Sequence, residues 1–203
     1  FSVKTASGNL ESSDSFTFRD AEFNSSSGRL FFSSIQAQTT AFEASSGQIV
    51  VDGISARSSS FTASSGAVTV GTLTGNAEIE VSSGSVTIGK AAGEVNIRVA
   101  SGRITIGELR GAVNARTSSG VIKCSVTDLS GDITLAATSG SIALTLPRSS
   151  AFAFSARTGS GRISVPFAEN LTGTAKNLTG TVGNSDKMHV NLDTSSGNIE
   201  VIW

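Results

Sequence analysis

Residues 63–71 read Ala63-Ser64-Ser65-Gly66-Ala67-Val68-Thr69-Val70-Gly71, a Ser-Gly pair followed by alternating apolar and polar residues. Copies of this unit are centred on Gly8, Gly28, Gly47, Gly66, Gly84, Gly102, Gly120, Gly140, Gly161 and Gly197. The first eight steps between these glycines are 20, 19, 19, 18, 18, 18, 20 and 21 residues, and the last is 36, with Gly180 near its middle as a degenerate copy. A fixed period of this size marks a repeat architecture.

The register is clearest between residues 66 and 120. Counting from each Ser-Gly glycine, position +2 holds Val68, Val86 and Ile104, position +4 holds Val70, Ile88 and Ile106, and position +7 holds Leu73, Ala91 and Leu109. A second glycine follows (Gly75, Gly93, Gly111), then another alternating run through Ala77, Val95 and Val113. Strict alternation is the strand signature, and β-branched residues fill most of the inward slots. No stretch keeps helical apolar spacing. One such unit cannot bury its own apolar face, so the units must stack. The expected fold is all-β: a single-stranded β-solenoid (β-helix) of about ten coils with an 18–21-residue repeat, forming one domain over residues 1–203. Right-handed winding is expected because parallel crossovers take that hand.

Stacking places equivalent positions above one another about 4.8 Å apart. Five residues before successive glycines lie Phe23, Phe42 and Phe61, then Ile79, Ile97, Ala115 and Leu135, so an aromatic column is predicted in the early core. The Ser-Gly corner has a local cause: glycine reaches positive φ without steric cost, and serine bonds nearby backbone. Residues 144–203 break the regularity. Pro147 and Pro166 each close a strand, and residues 168–186 read as a glycine- and asparagine-rich loop or loose coil. Order returns at Met188–Leu192 and ends on Ile199, Val201 and Trp203. An open solenoid edge recruits other chains, so the irregular segment and Trp203 are the expected cap.

Composition narrows the function. Only 15% of the 203 residues are charged, against about 25% in ordinary domains, and the net charge is −1. Without clustered Lys and Arg there is no electrostatic case for nucleic acid or an anionic membrane surface. Cys124 is the only cysteine, so neither a disulfide framework nor a thiolate metal cluster can form. No apolar run is long enough to span a bilayer, and no signal peptide is visible. The chain begins at Phe1, as a trimmed or mature product does, and any export signal or anchor would have gone with the missing piece.

The recurring Thr/Ser-Ser-Ser-Gly-x-Ile/Val-x-Val unit resembles the bacterial β-strand repeat family labelled as adhesins, a domain of unknown function. Val81-Ser82-Ser83-Gly84-Ser85-Val86-Thr87-Ile88 and Thr117-Ser118-Ser119-Gly120-Val121-Ile122 are closest, and the ending Gly180–Gly183 through Val190–Ile199 is also similar. The resemblance covers nearly the whole chain. It implies a β-solenoid, usually exported or attached to the cell envelope, without an established enzymatic activity or a catalytic motif.

Candidate chemistry is sparse. His189, the only histidine, lies in a strand between Met188 and Val190 on the opposite face, and reads as a surface residue. Cys124 occupies position +4 and reads as a small, inert core residue. Glu78 and Glu80 flank Ile79 on one strand, with Arg98 one coil on, so a surface ion pair between Glu80 and Arg98 is expected. Glycosidase chemistry needs two carboxylates across a cleft, and connections this short build none. Arg98, Arg116 and Arg157 share an outward column interrupted by Ala136, a stripe that suits either solvent or an acidic glycan. Thr69, Thr87 and Thr105 form another column, but its companion Ala67, Ser85 and Arg103 lacks the flat doubled threonines of an ice-binding face. Phe31 and Val50 are expected outward beside the inward Phe32 and Val51, covered by residues 1–20.

Two other repeat classes are excluded. Apolar slots at +2, +4, +7, +11, +13 and +15 give a nine-residue sub-period rather than the three hexads of left-handed acyltransferase helices. Calcium β-rolls need Gly-Gly-x-Gly-x-Asp, and the chain has no Gly-Gly. No cofactor or metal is therefore expected, and no site residue is assigned as catalytic. The expected function is a non-catalytic, adhesin-like binding or spacer module at the cell surface or envelope. Its partner would be a glycan or another envelope protein. The alternatives are a carbohydrate-active β-helix enzyme, with Glu78, Glu80 and the arginines as its machinery, and an envelope sensory or scaffold module. The scaffold reading predicts an unpaired sheet edge or an apolar patch near Phe31.

Overall fold

A computed structural model describes residues 1–184 and 187–203. The chain runs β1 (Ser2–Ser7), β2 (Leu10–Thr17), β3 (Asp20–Asp128), β4 (Ile133–Ser139), β5 (Ile142–Thr145), β6 (Phe152–Ser160) and β7 (Ile163–Ser164). A three-residue 3-10 turn, Ala168–Asn170, precedes β8 (Leu171–Thr174), β9 (Asn177–Val182), β10 (His189–Ser196) and β11 (Ile199–Ile202). All eleven strands belong to one sheet. The 109 residues of β3 are extended backbone that turns corner after corner without leaving strand geometry. The fold is the all-β solenoid that the repeat predicts.

The corner glycines record how the coils stack. Each has φ between +109° and +153°, a region that L-residues with a Cβ avoid. A Cβ on Gly28 would strike the carbonyl of Gly8, and the same relation joins Gly47 to Gly28, Gly66 to Gly47, Gly84 to Gly66, Gly102 to Gly84, Gly120 to Gly102 and Gly140 to Gly120. Both the backbone conformation and the coil-to-coil approach demand glycine here.

Beyond Gly140 the stack departs from chain order. The next glycine is Gly197, whose Cβ would meet Gly140, and Gly161 follows upon Gly197. The strand ladder agrees: β10 pairs in parallel with β4 on one side and with β6 on the other, and β11 lies likewise between β5 and β7. The C-terminal strands are thus inserted between two earlier coils. Residues 168–186 are not a loose loop over their described part. β9 runs antiparallel to β6, from Phe152 opposite Val182 to Arg157 opposite Asn177, and β8 folds back antiparallel on β9. This hairpin, which lies in the irregular segment expected to cap the stack, closes the outer edge of β6. A parallel coil leaves its edge unsatisfied, and antiparallel strands satisfy it with a tight turn.

The core is a set of columns. Phe23, Phe42 and Phe61 stack with ring centroids 5.0 and 4.9 Å apart, and the buried Ile79, Ile97, Ala115 and Leu135 continue the column. Each fully buried aliphatic or aromatic side chain contributes about 1.5–3 kcal/mol relative to exposure. At the closed end Phe152, Phe154 and Phe167 meet edge to face, and Trp203 tilts over Phe167 at 5.1 Å. Trp203 contributes to the cap as expected, but from the inserted strands.

Candidate functional site

Position −3 before each corner glycine points inward (Ala63, Val81, Val99, Thr117, Ala137 and Thr194, all buried), so positions −4 and −2 flank it on the outside. Most of the −2 residues are small: Ser64, Ser82, Ala100, Ser118 and Ser195. Stacked over adjoining coils, these positions leave a polar trough of about 610 Å³ that runs from Thr62 and Ser64, past Glu80, Arg98 and Arg116, to Asp193 and Ser195. A further stretch of about 380 Å³ shares Thr62 and Ser64 and carries the trough on to Glu43, Asn24 and Lys4. The sequence predicts a smooth face with no concavity. The depression arises because small −2 side chains cannot fill the space beside the larger −4 side chains.

The predicted ion pair lies on this trough. Arg98 Nη1 donates to Glu80 Oε1 at 3.2 Å across one rung, and also to Glu78 Oε1 at 2.9 Å. Its pKa is raised above the ordinary arginine value, first by the hydrogen bond it donates to Glu78 and then by the one it donates to Glu80. All three side chains are more than half exposed, so the triad organises surface charge and adds little stability. Both carboxylates project from the same strand onto one guanidinium. They do not face each other across a cleft, which is the placement that acid–base cleavage of a glycoside needs.

The arginine column is reordered by the C-terminal insertion. Arg116 pairs in register with Ala136, Ala136 with Asp193, and Asp193 with Arg157. Reading along the chain places Arg157 directly after Ala136; in the fold an acid stands between them. Arg116 Nε donates to Asn114 Oδ1 at 3.2 Å, and no carboxylate lies within salt-bridge reach of it among the described residues. Asp193 could not have been placed from the repeat, because nothing in the period shows that residue 193 follows residue 136.

The remaining candidates fall where their register puts them. Cys124 is buried at position +4, and desolvation pushes its thiol up to about 12. A thiol this hard to ionise is no nucleophile. His189 is exposed; its backbone N–H donates to Asp132 Oδ1 at 2.9 Å, and its Nδ1 lies 3.5 Å from the same oxygen. Phe31 lies partly exposed beside the buried Phe32, with the Arg29 guanidinium over its ring at 5.1 Å. Glu11 of β2 is its register partner. The threonine column is outward but only half exposed at Thr69 and Thr105. Among the described residues no group of three His, Cys, Asp or Glu side chains could hold a metal ion, and no helix is long and apolar enough to cross a membrane.

Comparison with known proteins places these features in a family. The model of the family described as Toastrack DUF4097 matches residues 1–92 and again residues 87–202. No curated protein and no solved structure matches the chain. The two family matches meet between Gly84 and Gly102, where the corner column continues unbroken.

Proposed function

The chain belongs to the Toastrack DUF4097 family, and on that premise we propose that it is a non-catalytic, adhesin-like binding or spacer rod of the cell envelope or outer surface. The observation that carries this reading is the trough. It crosses coil after coil, from Lys4 to Ser195, at small polar −2 positions. Small-molecule sites are enclosed and mostly apolar, whereas a shallow polar channel along stacked repeats suits an extended polymer. A linear glycan laid along the stack would meet a serine hydroxyl at most rungs, with Arg116 free to engage an acidic group. Catalysis is disfavoured because Glu78 and Glu80 are gathered on Arg98.

The test is retention of the protein on a panel of insoluble envelope polysaccharides, with assay of released reducing ends. Binding without release is expected, and Ser82→Arg with Ser118→Arg should fill the trough and weaken binding by roughly tenfold or more at an unchanged melting temperature. Release of reducing ends, or binding indifferent to both substitutions, would overturn the reading.

A further inference from the structure

Two opposite charges in the trough have no counterpart. Arg98 is taken up by Glu78 and Glu80, at 2.9 and 3.2 Å. Arg116, one rung further, meets only the side-chain amide oxygen of Asn114. Asp193 lines the same trough. No cation stands within salt-bridge reach of it among the described residues, Arg157 on the neighbouring strand included. Ala136 lies between them and pairs in register with both. The backbones of Arg116 and Asp193 are therefore two rungs apart, about 9.6 Å at the strand spacing. Alanine on the middle rung has no side chain to bridge that distance. Guanidinium and carboxylate face one trough without neutralising each other.

We propose that Arg116 and Asp193 form a dipolar subsite, and that the polymer in the trough carries a carboxylate and a free ammonium group on neighbouring sugars. The proposal rests on the glycan-binding reading of the trough and names its ligand class. Arg116 spends Nε on Asn114 and keeps the N–H groups of its two Nη atoms for a carboxylate. Asp193 accepts from the ammonium group two rungs on. Ser118, Thr138 and Ser195 line the trough over the same span and supply hydroxyls to the sugars. Selectivity comes from repulsion as much as from attraction. A chain with an acid on every sugar brings a carboxylate against Asp193, and a chain with an amine on every sugar brings an ammonium group against Arg116. A neutral chain pairs neither charge. Only a chain bearing both satisfies the two rungs. The subsite also depends on the C-terminal insertion, because Asp193 reaches this column only through the pairing of β10 with β4.

Isothermal titration calorimetry with four soluble oligosaccharides decides the matter: neutral cello-oligosaccharides, oligogalacturonates with an acid on every sugar, chitosan oligomers with an amine on every sugar, and N-deacetylated hyaluronan oligomers with acid and amine on alternate sugars. The last should bind roughly tenfold or more tightly than any of the others. Arg116→Gln should remove its advantage over chitosan oligomers, and Asp193→Asn its advantage over oligogalacturonates. Asp193→Arg should turn the preference toward oligogalacturonates. Both side chains are exposed, so the variants should keep the wild-type circular dichroism spectrum. Equal binding of all four chains, still weakened by Ser82→Arg with Ser118→Arg, would overturn the dipolar subsite and leave the trough reading standing. A preference for the doubly charged chain that is indifferent to Arg116 and Asp193 would also overturn it. Binding of none of the four would overturn the subsite, and the trough reading falls with it if the insoluble panel is not retained either.

Discussion

The hydroxyl of Thr194 donates to the carbonyl oxygen of Gly140 at 3.0 Å, across 54 residues of sequence. Thr158 makes the equivalent bond to Gly197, one coil further, at 2.9 Å. Together the two bonds stitch the inserted C-terminal strands to the coils on either side. Thr117 occupies the same column, yet its buried hydroxyl has no partner. Valine has nearly the same shape, so one substitution should have opposite consequences along one column. Thr194→Val and Thr158→Val each remove a part-buried hydrogen bond to a corner carbonyl and should cost about 0.5–1.5 kcal/mol in denaturant unfolding. Thr117→Val relieves an unsatisfied hydroxyl and should be neutral or stabilising. Equal effects at all three positions would show that the hydroxyls do not distinguish the coils.

Glycine is required at the corners for two reasons, and alanine substitution separates these sites from ordinary glycines. Gly102 has φ +145°, and a Cβ there would be driven into the carbonyl of Gly84. Gly102→Ala should destabilise the protein by roughly 3 kcal/mol or more, since strain and a backbone clash act together. Gly53 has no positive φ, and a Cβ there would lie 3.6 Å from the Ser33 carbonyl, an ordinary contact. Gly53→Ala should leave the melting temperature unchanged or raise it slightly, by restricting the unfolded chain.

Cys124 makes a pH-dependent prediction. Burial raises its folded pKa from 9.0 to about 12, so between these values the unfolded thiol has lost a proton that the folded one keeps. Fewer protons bound in the unfolded state means stability that falls as pH rises. The stabilising contribution is complete below pH 9 and is lost on the way up to 12. Relative to Cys124→Val, the wild type should lose up to about 1.4 kcal/mol per pH unit in that window. Near neutral pH, alkylation of the thiol should proceed only as fast as the protein unfolds. Rapid labelling of the native protein would mean that the +4 column is open to solvent.

The aromatic column should be sensitive at its centre. Phe42 stacks on Phe23 and on Phe61, within 18° and 4° of parallel. Phe42→Leu removes both ring contacts and leaves unfilled volume, and should cost about 2–4 kcal/mol by thermal or denaturant unfolding. Phe31→Leu, on the outer face beneath Arg29, should cost less than about 1 kcal/mol.

The repeat register was readable because each coil imposes the same physical demand at the same position. Glycine at the corner, β-branched residues inside and Ser or Thr outside follow from stacking alone, and so do the phenylalanine column, the buried Cys124 and the Glu80–Arg98 contact. The order of the last coils was not readable. Val190, Leu192 and Ile199 suit the interior of any coil, and what places them between Ile133-Leu135 and Phe154-Ala156 is the hairpin that occupies the outer edge of β6. That hairpin is weakly patterned: Leu171–Thr174 and Asn177–Val182 bury only Val182, so alternation gives little sign of its strands. The trough was missed for a related reason. It is formed by what the −2 residues lack in size, and its Asp193 arrives only through the insertion.

The stacking order underlies the trough, the reordered charges and the end closed by the hairpin. Native-state hydrogen exchange at the amides of Val190 to Thr194 tests it most directly. Held between β4 and β6, these amides should exchange no faster than those of Ile133 to Ala137, at the rate of global unfolding. Exchange orders of magnitude faster, at the rate of a fraying terminus, would contradict the insertion and the account built on it.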